Sequence, residues 1–316
     1  LIYGVSHVFT RFMNYLLVPF YTGVFKPGEY GVISLIYVVV AFLNVVFTYG
    51  MESSYFRYAK EREKSKDIFK TIQVSLLLTS AVLVTIVWFL NPLINPVIGL
   101  AEPFPLLTLM LGILIFDTIQ VIPFAELRLK GKPWHFALLK MFGVFINLGL
   151  NLYLILKLHL GIEAVLISNI IASFITALFV WIITRDMLKG SWDINFLKKA
   201  LRFGLPFVPA GIGYVINEML DRIFLKRMNP ESIEAIYGTN ADGSIYSGED
   251  IVGIYSAAYK LAVVMLLFVT VYRYAWQPFF MKKSDDQEAP VIFSEAFRYF
   301  NLGAALIFIF FSLFIE

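Results

Sequence analysis

Nine stretches of this chain, each about as long as a bilayer is thick, carry almost nothing but apolar side chains. They run near 2–24, 31–50, 71–90, 104–127, 134–156, 162–184, 203–225, 251–276 and 291–315. About 20 residues at roughly 1.5 Å rise each cross the roughly 30 Å hydrocarbon core of a membrane. The apolar residues lie all round each segment, so these are not surface helices with one greasy face. The ten-residue alternation of a transmembrane barrel is missing. Composition agrees: 59 % of residues are hydrophobic and 16 % charged, with a mean hydropathy of +0.75, where a soluble domain is nearer half apolar and a quarter charged. The sequence therefore predicts an all-α, polytopic helical membrane protein.

Several function classes drop out early. With no cysteine there is no disulfide framework, thiolate nucleophile or thiolate metal site. His7, His135 and His159 share no metal-ligand spacing, so no metal and no other cofactor is expected. The chain opens inside an apolar run without a charged leader and closes inside another at Phe314-Ile315-Glu316. It reads as a piece of a longer protein without a cleavable signal peptide.

Basic residues assign the loops to two sides. Arg57, Lys60, Arg62, Lys64, Lys66, Lys70, Arg128, Lys130, Lys132, Arg185, Lys189, Lys198, Lys199, Arg202, Lys282 and Lys283 fall in alternate loops. The opposite loops hold only Lys26, Lys157, Lys226 and Arg227. Sixteen against four puts the first set, and the N-terminus, in the cytoplasm. These basic runs are read as topology signals rather than nucleic-acid or lipid-specific sites. The long outer loop near 226–250 is acidic and rich in turn formers around Asn240–Gly248. Asp285-Asp286 reads as part of a solvated loop, with no nucleotide-binding fold beside it.

An internal repeat is visible. Glu29-Tyr-Gly-Val-Ile-Ser-Leu-Ile-Tyr37 opens the second run, and Ile251-Val-Gly-Ile-Tyr-Ser-Ala-Ala-Tyr259 opens the eighth, in nearly the same register. Six spans separate them, an even number, so both copies have the same orientation. Parallel repeats about an axis along the membrane normal are a known transporter plan. The expectation is two six-helix lobes: residues 1–190 form the first, and 191–316 form a second cut after its third helix.

Charges deep in the bilayer are costly, roughly 2.5–3.5 kcal/mol each on insertion scales, and usually face a cavity or a partner. His7, Arg11 and Asn14 share one face of span one. Asp117 with Gln120 sits in span four, and Asn147 with Asn151 in span five. Asn217, Glu218, Asp221 and Arg222 cluster in span seven, where Glu218 and Arg222 are spaced to pair. Lys260 lies deep in span eight, with Tyr255 and Tyr259 on one face. Lys140, Arg273 and Arg298 are near enough to the inner face to snorkel; Arg11, Asp117, Glu218 and Lys260 are the hardest to place without a cavity. Span seven also carries Pro206 and Pro209 among glycines, a candidate kink or hinge.

Several segments together resemble the polysaccharide-biosynthesis flippases of the multidrug/oligosaccharidyl-lipid/polysaccharide exporter superfamily. They are Asn14-Tyr-Leu-Leu-Val-Pro-Phe-Tyr-Thr22, Glu29-Tyr-Gly-Val32, Tyr49-Gly-Met-Glu-Ser-Ser-Tyr-Phe-Arg57, Phe203-Gly-Leu-Pro-Phe-Val-Pro-Ala210 with Asp221-Arg222, Val252-Gly-Ile-Tyr-Ser-Ala-Ala-Tyr-Lys260 and Ala275-Trp-Gln-Pro-Phe279. The resemblance implies a non-enzymatic transporter of the bacterial cytoplasmic membrane that moves a polyprenyl-pyrophosphate-linked oligosaccharide outward for surface polysaccharide or lipopolysaccharide. It would work as a monomer beside glycan-assembly enzymes, with membrane lipid around it. Cations would lower the cost of moving a pyrophosphate: Arg11 and Lys260 first, with Lys140, Arg222, Arg273 and Arg298 behind them. Asn147, Tyr255 and Tyr259 suit sugar hydroxyls. His7, Asp117, Glu218 and Asp221 are candidates for ion coupling. A multidrug cation exporter of the same superfamily would want an acid-dominated cavity. A membrane glycosyltransferase or polymerase would want a metal-binding acidic pair on a substantial domain, and no such domain is visible.

Overall fold

The computed structural model describes residues 2–59, 65–90, 92, 103–240, 242–283 and 289–314; the side chains of some helical residues, among them His7, Arg11 and Arg273, lie outside that description, as does Asp285-Asp286. Among the described residues twelve helices follow one another: α1 Ile2–Val24, α2 Pro27–Thr48, α3 Met51–Tyr58, α4 Ser65–Phe89, α5 Pro103–Leu129, α6 Pro133–Leu156, α7 Ile162–Thr184, α8 Ile194–Gly204, α9 Phe207–Lys226, α10 Pro230–Tyr237, α11 Gly248–Lys283 and α12 Ala289–Phe314. A 3-10 turn, Arg185–Lys189, follows α7. Each of the nine apolar runs coincides with a helix. Among the described residues six helices meet a strict test of length and apolar character for crossing a membrane, and a seventh span is made if the bent pair α8–α9 counts as one. Strand pairing among the described residues is an isolated bridge between Thr239 and Ile245, in the loop rich in turn formers.

Local chemistry fixes the helix ends. Pro27, Pro133 and Pro230 stand in first turns, where a fixed φ suits the helix and no backbone donor is wasted. The Lys26 backbone N–H donates to Glu29 Oε2 at 2.8 Å. Asp193 caps α8 by accepting from the N–H groups of Asn195 (2.8 Å) and Phe196 (3.1 Å). Helix α2 ends where Tyr49 and Gly50 both take positive φ, 30° and 71°. That turn starts α3, which lies in what the sequence presents as a plain basic loop.

The two ends of the bundle are distinct. At one end the Ser191 backbone N–H and hydroxyl both donate to Asp67 (2.5 and 2.9 Å), Arg128 pairs with Glu52, and Lys130 Nζ reaches Met187 Sδ at 3.2 Å. The segments flanking 60–64 and the loops near 130 and 190 thus share the basic side. At the other end Gly28 and Gly31 lie against Asp250 and Glu249, and Lys226 pairs with Glu249 at 3.2 Å. Leu17, Tyr21, Phe25, Tyr30, Leu154, Ile155 and Ala164 pack together there, which brings the loop near 159 to the same end. The loops near 97 and 284 lie outside the described residues.

Near the basic end a buried acid ties α3 to α5. Glu126, 3 % exposed, accepts from the Tyr55 hydroxyl at 2.5 Å and pairs with Lys130 at 2.7 Å. Burial, with the Glu126 charge alongside, pushes the Tyr55 hydroxyl far above its ordinary range, so it stays a donor. Tyr55→Phe is expected to cost about 1.5–3 kcal/mol, the range for a hydrogen bond to a charged group. A lowered unfolding midpoint in detergent would show it, and an unchanged midpoint would remove the bond from the account.

Span seven is interrupted beside Pro206. Helix α8 stops at Gly204 and α9 begins at Phe207, bent by 40°. Pro206 caps α9 and Pro209 lies in its first turn. A proline there clashes with no preceding helical carbonyl, so Pro209 starts the membrane helix rather than bending its middle.

Helices α2 and α11 pack along each other more extensively than any other described pair. Both begin at the non-basic end, and their contact is reciprocal. A side chain on Gly31 would run into the Glu249 carbonyl, and one on Gly253 into the Pro27 carbonyl. Each glycine stands four residues after the partner's clashing carbonyl position, so the same pair of positions meets from both sides, as across a two-fold axis.

Candidate functional site

Beneath that glycine contact lies a cavity of about 580 Å³. Its walls come from α1, α2, α5, α6 and α7, with Met219 and Arg222 of α9 and Ser256 and Lys260 of α11 on the remaining side. Along α2 the lining runs from Tyr30 to Asn44, about 21 Å at 1.5 Å per residue. The cavity therefore occupies most of the depth of a bilayer.

The charged residues lining it, among those described, are Asp117, Lys140, Arg222 and Lys260. Amides and hydroxyls supply most of the rest: Asn14, Asn44, Asn147, Asn169, Gln120, Ser34, Ser173 and Thr176, with Tyr21, Tyr30 and Tyr37. Two buried oxygens on the wall, Gln120 Oε1 and Ser256 Oγ, have no protein partner.

The acids are held by neighbouring donors. Asp117 Oδ1 accepts from Gln120 Nε2 at 2.8 Å and from the Ser173 hydroxyl at 2.7 Å. Asn169 Nδ2 donates to the Tyr37 hydroxyl at 2.8 Å, linking α7 to α2. Asn169 and Ser173 were not among the sequence candidates. They recur at i, i+4 in span six, the same signal that Asn147 and Asn151 give in span five. There the Tyr21 hydroxyl donates to Asn151 Oδ1 at 2.8 Å, and Asn151 Nδ2 donates to the Asn147 carbonyl at 2.9 Å. Asn147 reaches the cavity, and Asn151 ties α6 to α1.

Lys140 does not snorkel away. Its ammonium sits 4.1 Å from the centre of the Phe124 ring, and the residue lines the cavity. Arg298 stands exposed on α12 and is not among the lining residues. Arg11 belongs to the turn of α1 that carries Thr10 and Asn14, both on the wall.

The span-seven cluster departs from the expected pairing. Arg222, 6 % exposed, donates to Asp221 Oδ1 at 3.0 Å and to the Glu218 backbone carbonyl at 2.9 Å. The Glu218 carboxylate instead accepts from the Tyr259 hydroxyl at 2.9 Å, and Asp221 accepts from the Tyr255 hydroxyl. The guanidinium lies 4.7 Å from the Tyr259 ring centre and 5.6 Å from that of Tyr255, within range of a cation–π attraction. Tyr255, Tyr259, Glu218 and Asp221 thus stand beside the cavity wall and hold Arg222 on it. The repeat also breaks its symmetry here: the position matching Lys260 in the first copy is Val38, which is 1 % exposed.

The profile of a family described as polysaccharide biosynthesis protein matches residues 1–284. No curated protein matches. Among solved structures, one titled as the inward-facing conformation of a multidrug resistance MATE family transporter of the MOP superfamily is 16 % identical; the match covers 96 % of this chain and 70 % of that one, with a TM-score of 0.61. The outward-facing structure of a transporter so described is 17 % identical over 86 % of this chain and 61 % of that one, TM-score 0.58. A MATE in complex with Br-NRF is 16 % identical over 86 % and 63 %, TM-score 0.57. The chain thus spans about two thirds of the length of these structures.

Proposed function

This chain belongs to the polysaccharide biosynthesis protein family, and on that premise we propose that it serves as a flippase for a polyprenyl-pyrophosphate-linked oligosaccharide. It is a multi-pass membrane protein with the fold of MATE transporters. The observation that carries the proposal is the charge of the described cavity lining: three cations, Lys140, Arg222 and Lys260, against one carboxylate, Asp117, with Asp221 and Glu218 beside Arg222. The Asp117 carboxylate already accepts two hydrogen bonds from the protein. A wall with this balance suits an anionic pyrophosphate and repels an organic cation. Its amides and hydroxyls suit a sugar that must exchange water for protein partners. A multidrug exporter of cations has the same architecture, and it is the charge balance that speaks against it.

In this reading residues 1–190 form the first lobe and 191–316 contain part of a second, related by an axis along the membrane normal. The reciprocal Gly31–Gly253 contact supports it, because an axis that maps one helix onto a neighbour running the same way must lie along both. The basic end and the N-terminus face the cytoplasm of a bacterial inner membrane, where glycan-assembly enzymes would supply the substrate. Arg11 joins the cations in this proposal, and Asp117, Glu218, Asp221 and His7 are the groups through which an ion could be coupled.

Lys140→Gln, Lys260→Gln and Arg11→Ala should each lower export of the lipid-linked glycan by tenfold or more without lowering protein level. Arg11→Lys keeps the charge but loses the bidentate fork, so partial export is expected. Normal surface glycan in all three charge-removing variants would end the cationic-cavity mechanism. Loss of resistance to a cationic drug, with glycan intact, would put the exporter in its place.

A further inference from the structure

A second recess, separate from the polar cavity, lies between α4 and the bent pair α8–α9. Its volume is about 510 Å³. Leu78 and Val82 of α4 face Leu197, Leu201 and Leu205 of the pair across it, with Tyr49 closing one side. Its few polar groups are already engaged. The Ser75 hydroxyl donates to the Thr71 carbonyl at 2.7 Å. The Thr79 hydroxyl donates to the Ser75 carbonyl at 2.8 Å and lies 3.1 Å from the Tyr49 hydroxyl. Such a surface offers nothing to a sugar or a phosphate and fits only hydrocarbon. Along α4 it runs from Ser75 to Leu83, about 12 Å at 1.5 Å per residue, most of the depth of one leaflet.

The mouth of the groove is cationic. Leu197 and Leu201 recur at i, i+4 on α8, with Leu205 following just past its end, and Lys198 and Arg202, both exposed, form the adjoining stripe at the same spacing. On the opposite flank Lys199 lies 4.8 Å from the Tyr58 ring centre, and Arg57 4.4 Å from that of Phe203. A short helix with an apolar stripe beside a basic one, set at the basic end of a bundle, has the form of a membrane-surface element. Paired cations beside a leaflet-deep groove match one amphiphile, a lipid with an anionic head and an acyl chain.

We propose that this groove binds an anionic phospholipid of the leaflet at the basic end, its phosphate between Lys198 and Arg202 and one acyl chain against Leu78, Val82 and Leu201. The tail of a transported lipid is a poorer occupant. The cavity lies on the face of α2 that carries Tyr37, Ala41 and Asn44, whereas Val46 at the groove points to nearly the opposite side. The helix therefore separates groove from cavity. A lipid so placed joins α4 to the α8–α9 bend and steadies the junction between the two halves of the chain.

The test is thermal unfolding of the purified protein in detergent with added phosphatidylglycerol or phosphatidylcholine, together with native mass spectrometry of retained lipid. Phosphatidylglycerol should raise the midpoint by about 5 °C at saturating lipid, and phosphatidylcholine by much less. Leu201→Trp, which fills the groove, and the double variant Lys198→Gln/Arg202→Gln should both lose that difference and retain less phosphatidylglycerol. If the tryptophan variant does not fold, the double variant and the mass spectrum decide. Equal stabilisation by the two lipids, or an undiminished phosphatidylglycerol response in the double variant, overturns the proposal. A polyprenyl phosphate that stabilises through these residues while phosphatidylglycerol does not would also overturn it and give the groove to the lipid carrier.

Discussion

Gly31→Leu should open the outer rim of the cavity and stop transport while leaving the protein in the membrane. The substitution meets the Glu249 backbone carbonyl, which no side-chain rotation can move aside. Helices α2 and α11 would have to part where they lie closest, directly above the cavity-lining Tyr30 and Ile33. Overpacking of this kind costs typically about 1–3 kcal/mol, enough to shift a two-state equilibrium about 5- to 150-fold. In the proposed flippase reading the outer side is closed for part of the cycle, so a shift of that size should cut glycan export by at least tenfold. The opening can be read directly with a cysteine at Ser34, a cavity-lining position one turn below the contact. Labelling by an impermeant maleimide from outside should speed up at least fivefold in Gly31→Leu. Gly253→Leu should act alike, since it meets the Pro27 carbonyl in the same way. Gly23→Leu, at a position with nothing within 4 Å, serves as the control. If labelling and export stay unchanged in both contact variants, the glycine pair does not seal the cavity.

That seal was half legible in the sequence. The register of Gly31 with Gly253 is readable as a repeat, and a repeat suggests symmetry. It does not say that the two copies touch, because contact depends on how the halves dock. The helices themselves follow from hydrophobicity, which acts residue by residue and needs no tertiary knowledge. Helix α3 does not, because its start depends on Tyr49 accepting a left-handed conformation that few non-glycine residues adopt. Helix α8 carried its signal openly, in Leu197, Leu201 and Leu205 beside Lys198 and Arg202, yet it sits in a stretch whose charge count announces a loop. Depth alone could not separate a snorkelling Lys140 from one that faces a cavity; its direction is set by Phe124 on a different helix. The partner of Arg222 shows the same limit. Spacing favours the Glu218 carboxylate, but Tyr259 from α11 takes it, and the arginine turns to Asp221.

Arg222 is where stability and transport should come apart under mutation. Arg222→Ala removes two charge-assisted hydrogen bonds and the contact with the Tyr259 ring, and it leaves Asp221 without its cation. A fully buried pair broken this way costs about 3–5 kcal/mol. About a third of the Asp221 side chain stays accessible, so about 2–4 kcal/mol is expected here. Export should also fall at least a hundredfold, because the cavity loses one of its three described cations. The double variant Asp221→Asn/Arg222→Gln separates the two effects. It keeps a neutral donor–acceptor pair where the ion pair stood, so most of the stability should return, while the missing positive charge keeps export low. Arg222→Lys should hold the fold and retain part of the export, since an ammonium can pair with Asp221 but lacks the planar guanidinium that lies 4.7 Å from the Tyr259 ring centre. Detergent melting curves and a surface-glycan assay on the same three variants give both readings. If the double variant regains export together with stability, Arg222 acts only by holding α9 against α11, and in the proposed mechanism the pyrophosphate is left to Lys140, Lys260 and Arg11.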